Sequence, residues 1–166
     1  MNLYVVRHGE ALPVGGGIAT DAVRPLSPRG EGVCAALAVL LAAELPGGAV
    51  VLASPLMRAR RTAEIIAGRL AGVPAVRTTE NLAPGFRPKE LLAEIAAGGG
   101  ESVIVVGHQP DLSNLVSRMI AGESASVAFF PGGAAKITTR SPAAAGEATL
   151  HWLLTPELID RALSTR

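Results

Sequence analysis

The chain has 166 residues, the length of one ordinary domain and too short for two full-sized ones, so a single domain over residues 1–166 is expected. It is 49% hydrophobic and 17% charged, enough apolar material for a sizeable core and too little charge for a disordered tail. A formal net charge of +1 and an aromatic content of 3% argue against a nucleic-acid footprint and a base-stacking platform.

In chain order, short β-branched runs alternate with longer Ala/Leu-rich stretches. Residues 3–6, 50–53, 75–78 and 102–106 read as strands, apolar on both faces as expected of strands covered by helices on both sides. Helical patterns occupy residues 28–45, 55–70, 88–97 and 110–121. Further strands are expected over 126–130, 134–139 and 148–153, and a last helix from Pro156. Pro28, Pro55, Pro88, Pro110 and Pro156 each open a helical pattern, where a missing N–H costs nothing. Ser27, Ser54 and Thr155 are candidate N-caps. Gly- and Pro-rich gaps fall at 13–17, 46–48, 98–100 and 142–146. The alternation predicts an α/β fold, a three-layer sandwich with a mostly parallel central sheet and an antiparallel element toward the C-terminal half.

The single Cys34 makes no internal disulfide, and Leu40 stands where the arginine of a cysteine-phosphatase loop would fall six positions later, so Cys34 reads as core. Gly15-Gly16-Gly17 lacks the Gly-Lys-Ser/Thr of a P-loop and reads as a flexible loop. The N-terminus reaches Arg7 and His8 before a signal-peptide core could form. The longest apolar run, 33–43, is short of the roughly 18 residues that suggest a membrane span. A cytoplasmic protein without nucleic-acid or membrane partners is expected. Three dispersed histidines and one cysteine do not make a zinc site, so no metal or cofactor is expected.

In open α/β sheets, ligands bind beyond the carboxyl ends of the strands. The first strand ends in Arg7-His8-Gly9-Glu10, the second in Ser54-Pro55-Leu56-Met57-Arg58-Ala59-Arg60-Arg61-Thr62, and the fourth in Gly107-His108-Gln109-Pro110. If these strands are parallel neighbours, their ends gather two histidines and at least two arginines. Paired guanidiniums hold a phosphoryl group and neutralise its oxygens. A neutral imidazole between them can attack phosphorus, and the arginines depress its pKa so that it stays free to do so. A second histidine can stabilise the transferring group. Taken singly, His8 would read as a loop histidine. Arg60 and Arg61 point to other helix faces and read as solvated or paired with Glu64, and His151 reads as an exposed or half-buried strand residue.

Arg7-His8-Gly9-Glu10 resembles the signature of the histidine phosphatase superfamily, the phosphoglycerate mutase-like enzymes. The stretch 54–62 resembles that family's second arginine motif, with Arg58 at the phosphate-binding position, and Gly107-His108 resembles the motif of its second histidine. Asp21-Ala22-Val23-Arg24-Pro25-Leu26-Ser27, Leu82-Ala83-Pro84-Gly85 and Trp152-Leu153-Leu154-Thr155-Pro156 resemble the SixA-type branch, the bacterial phosphohistidine phosphatases. The resemblance implies His8 as nucleophile, Arg7 and Arg58 as phosphoryl ligands, His108 as stabiliser, and Arg24, oriented by Asp21, as a third phosphate or substrate contact. Glu10 then reads as a supporting residue.

Family members that act on phosphate esters supply a carboxylate acid. Glu80 lies in the corresponding region, with Asn81 an alternative occupant of the aligned place. A phosphohistidine substrate relaxes that need, because its leaving imidazole has an unperturbed pKa of about 6.5. The implied activity is metal-independent hydrolysis of a protein phosphohistidine through a phospho-His8 intermediate. The implied partner is a histidine-phosphotransfer domain or a phosphotransferase-system carrier, met by a monomer. Two alternatives stand beside it: a small-molecule phosphomonoesterase with the same core, and a non-catalytic phosphoprotein-binding module.

Overall fold

The computed structural model describes residues 1–72, 75–98, 100–122, 125–140 and 145–164. Its strands are β1 (Asn2–Arg7), β2 (Val50–Ala53), β3 (Arg77–Thr78), β4 (Ser102–Gly107), β5 (Ala134–Thr138) and β6 (Thr149–Leu154). Its α-helices are α1 (Pro28–Glu44), α2 (Met57–Ala67), α3 (Pro88–Gly98), α4 (Asp111–Ala121) and α5 (Pro156–Ser164), with 3-10 turns at Asp21–Val23 and Glu80–Leu82. The strands form one sheet in the order β3-β2-β4-β1-β5-β6. β1, β2, β3 and β4 are mutually parallel, while β5 runs antiparallel to both β1 and β6, so the sheet is mixed.

Period-two alternation of apolar side chains builds both faces. Leu3, Val5, Val103 and Val105 pack with Leu91 and Leu115 of α3 and α4 on one side. Tyr4, Val6, Ile104 and Val106 pack with α1, α2 and Ile159 of α5 on the other. Each such buried side chain contributes about 1.5–3 kcal/mol of transfer free energy. β4, apolar on both faces, lies between β2 and β1, with helices above and below.

The chain moves outward from β1 through β2 to β3, then doubles back to insert β4 between β2 and β1. Such a reversal of strand order opens a crevice at the carboxyl ends, the usual ligand position in open α/β sheets. At the opposite end of the sheet, the N-terminal ammonium of Met1 donates to the Thr139 carbonyl at 3.1 Å.

Several sequence expectations need correction. Residues 126–130 form no strand: the carbonyl of Val127 accepts from the Ser113 hydroxyl, and that of Phe129 accepts from Arg7 and Gln109 instead of a strand partner. β3 shrinks to two residues. α2 begins at Met57 and α4 at Asp111, each later than its proline. Ser27 caps α1 by accepting from Gly30 N–H at 3.0 Å, and Thr155 accepts from Leu158 N–H at 3.4 Å, but Ser54 caps no helix. Gly99 and residues 142–144 of the expected gaps lie outside the described residues.

Candidate active site

Three neighbouring strands end side by side, and each hands its next residue to the crevice. Ser54 follows β2 and its N–H donates to the Val106 carbonyl at 2.9 Å. His108 follows β4, and His8 follows β1 with its N–H on the Gly107 carbonyl at 3.1 Å. The two imidazole rings lie 5.0 Å apart between centroids.

His8 is held as a neutral, directed base. Its Nδ1 is 2.7 Å from the Gly9 carbonyl, which only accepts, so the ring proton sits on Nδ1. Nε2 then presents a lone pair, and Arg58 Nε–H donates to it at 3.1 Å. Burial, reinforced by the charges of Arg58, Arg7 and Arg24, lowers the His8 pKa to about 4, against the opposing Gly9 hydrogen bond. His108 is pushed down to about 3, first by burial and then by His8 and Arg58.

Arg58 lies in the first turn of α2 and is 5% exposed. Its remaining donors are tied to Asp21: Nη1 donates to the Asp21 carbonyl at 2.7 Å and Nη2 to the carboxylate at 3.0 Å. The other carboxylate oxygen of Asp21 accepts from Arg24 Nη1 at 2.9 Å, so one carboxylate bridges two arginines. Arg24 also donates to the carbonyls of Leu12 and Ala11 at 2.6 and 3.3 Å. The Arg24 hydrogen bond, with Arg58 behind it, holds the Asp21 carboxyl below its ordinary pKa despite some desolvation. Arg7 Nη1 donates to the Phe129 carbonyl at 2.7 Å, and Arg7 Nε is buried without a partner among the described residues. Three guanidiniums against one carboxylate leave the cluster with an excess of positive charge suited to a dianionic phosphoryl group.

The structure thus brings together Arg7, His8, Asp21, Arg24, Arg58 and His108. Glu80 stands apart, after the edge strand β3; it is exposed, and its carboxylate has no hydrogen-bond or ion-pair partner among the described residues. The neighbouring Asn81 donates its amide to Glu94 at 2.8 Å. Glu10 lies 4.0 Å from Arg29. Arg60 pairs with Glu64 at 3.8 Å, whereas Arg61 pairs with Glu31 at 2.7 Å, correcting a Glu64 pairing for the latter. His151 lies on β6, exposed, 2.8 Å from the Thr138 hydroxyl.

Two hydroxyls that sequence reasoning did not assign to the site tie it together. Thr62 Oγ1 donates to the Arg58 carbonyl at 2.8 Å and accepts from Gly9 N–H at 3.1 Å, linking the α2 turn to the His8 loop. Its position four residues after Arg58, on the same helix face, was the available signal. Ser54 Oγ lies 2.8 Å from His108 Nε2.

The chain is similar to several known proteins. The model of the histidine phosphatase superfamily (branch 1) matches residues 3–83. An uncharacterized protein of Picosynechococcus sp. is 35% identical over 127 residues, covering 75% of this chain and 76% of that one. Phosphohistidine phosphatase SixA of Escherichia coli is 28% identical over 160 residues, 94% of each chain. This chain belongs to the histidine phosphatase superfamily. A solved structure of the protein histidine phosphatase SixA complexed with tungstate superposes with a TM-score of 0.78 at 28% identity, covering 94% of this chain and 97% of that one. The likeness places the chain in the SixA-type branch, as a phosphatase with a phosphoglycerate mutase-like α/β fold. Among the described residues, no helix of this phosphatase is long and apolar enough to cross a membrane.

Proposed function

We propose that this phosphatase hydrolyses phosphohistidine on a protein through a phospho-His8 intermediate. The observation that carries the reading is the His8 ring, with its Nδ1 proton donated to the Gly9 carbonyl and its Nε2 lone pair set beside Arg58. Nε2 attacks phosphorus as the bond from phosphorus to the substrate imidazole breaks, and that imidazole leaves with a proton taken up from solvent. Water then attacks the phospho-His8 phosphorus, releasing inorganic phosphate and free His8. Arg7, Arg58 and Arg24 neutralise the phosphoryl oxygens in both steps, with Asp21 orienting the latter two, and His108 stabilises the transferring group. The guanidiniums supply the charge a metal would otherwise provide, so the reaction runs without one.

The protein substrate is supported by the surroundings. SixA of Escherichia coli bears the name phosphohistidine phosphatase. Asp21, the carboxylate inside the cluster, is committed to two arginines, so a substrate with an easily expelled imidazole suits the site. Beside the cluster lies an open groove of about 490 Å³, lined by Val23, Met57 and the paired ions of Glu31, Arg61, Arg60 and Glu64. Val23 and Met57 are exposed there, and Phe130 is exposed on the Arg7 side. Such a near-neutral apolar rim suits the surface of a phosphotransfer domain or phosphocarrier.

Phosphate release from a phosphohistidine-bearing carrier protein, followed in EDTA, tests the reading. Wild type should release phosphate rapidly and His8→Ala should not. Activity confined to an aryl phosphate ester would instead establish a small-molecule phosphomonoesterase.

A further inference from the structure

We propose that the Ser54 hydroxyl fixes the tautomer of His108, keeping the ring proton on Nδ1 so that this nitrogen is a standing donor for a phosphoryl oxygen. The inference rests on the role given to His108 above and names the residue that prepares it. A hydroxyl has one proton to donate and two lone pairs to accept with. Ser54 Oγ accepts from Leu56 N–H at 3.3 Å and lies 2.8 Å from His108 Nε2. Among the described residues no other acceptor is bonded to Ser54, so its proton goes to Nε2. A neutral imidazole that accepts at Nε2 must carry its proton on Nδ1.

The other nitrogen agrees. His108 is 3% exposed, and its Nδ1 is buried with no partner among the described residues. Arg7 Nε in the same cluster is likewise buried and unpartnered. Unpaired buried donors are costly, and they are retained where an acceptor-only ligand completes them. With the opposite tautomer, Nδ1 would present a lone pair and repel an anionic oxygen. A free neutral imidazole side chain favours the proton on Nε2, so Ser54 works against the solution preference. Ser54 is wholly buried and acts through His108, which makes it a positioning residue.

Nitrogen-15 NMR of the imidazole rings reads the tautomer directly. In wild type, His108 Nδ1 should show the shift of a protonated nitrogen and Nε2 that of an unprotonated one. In Ser54→Ala the two shifts should converge or exchange, and tungstate, used as the phosphoryl probe, should bind about tenfold more weakly. Protonated Nε2 in wild type, an unchanged tautomer in Ser54→Ala, or unchanged tungstate affinity would each overturn the proposal. Neither measurement uses a phosphoprotein, so it can fail while the phosphohistidine reading stands, and the reverse.

Discussion

At the scale of single residues, the site is a set of assigned protons. The Gly9 carbonyl accepts the Nδ1–H of His8, Asp21 holds two guanidiniums, and the His8 lone pair is left beside Arg58. Glu80 has no such assignment: it is exposed, on the far side of β2 and β4 from β1. We therefore expect Glu80→Gln to change the turnover of a phosphohistidine carrier by less than about threefold, since a working general acid contributes on the order of 10²–10⁴. A loss of about a hundredfold in the same steady-state assay would make Glu80 the acid. Arg7, His8 and His108 were legible because the strand-end rule locates them without knowledge of any contact, whereas Arg58 was singled out from its neighbouring arginines only by the family resemblance. Ser54 and Thr62 were not, because a small hydroxyl is equally at home in a cap, a turn or a core, and only a partner on another element decides. Ser54 was read as a cap from Ser54-Pro55; the structure spends its hydroxyl on His108 and starts the helix at Met57.

Between elements, the decisive contact is the approach of α1 to the loop after β1. Ser27 N–H donates to the Glu10 carbonyl at 2.9 Å, and Gly30 passes so close that a Cβ there would stand 2.2 Å from that oxygen. Backbone cannot give way as a side-chain tip can, so Gly30→Ala should destabilise the protein by about 1–3 kcal/mol. Chemical denaturation measures this, and an unchanged midpoint would show that the close approach is not maintained in solution. The same scale explains where sequence reading of the fold failed. The run at 126–130 has strand-like composition, yet its carbonyls serve Ser113, Arg7 and Gln109. Composition registers the affinity of side chains for a sheet and is blind to which backbone groups are already taken. The prolines at 28, 88 and 156 each stand at the first residue of a helix, as the sequence predicts.

Taken as a whole, the molecule keeps two histidines uncharged, and this couples its stability to pH. Both rings have native pKa values, about 4 and about 3, below the unfolded value of 6.5. Between those limits the unfolded chain binds more protons than the native one, so stability rises with pH in that window and is lost as pH falls through it. The urea midpoint should be steady above pH 7 and decline from pH 6.5 toward 4, with a shallower decline in His8→Asn. Equal slopes for the two proteins would show that His8 is not the linked group.

The bond between Met1 and Thr139 has a practical side. It anchors the amino end at the end of the sheet opposite the crevice, with β1 running between the two. A strand of that length separates them by about 20 Å. A reporter joined to Met1 therefore hangs from the end of the sheet away from the crevice, and a bulky phosphorylated carrier can still reach the crevice at the other end.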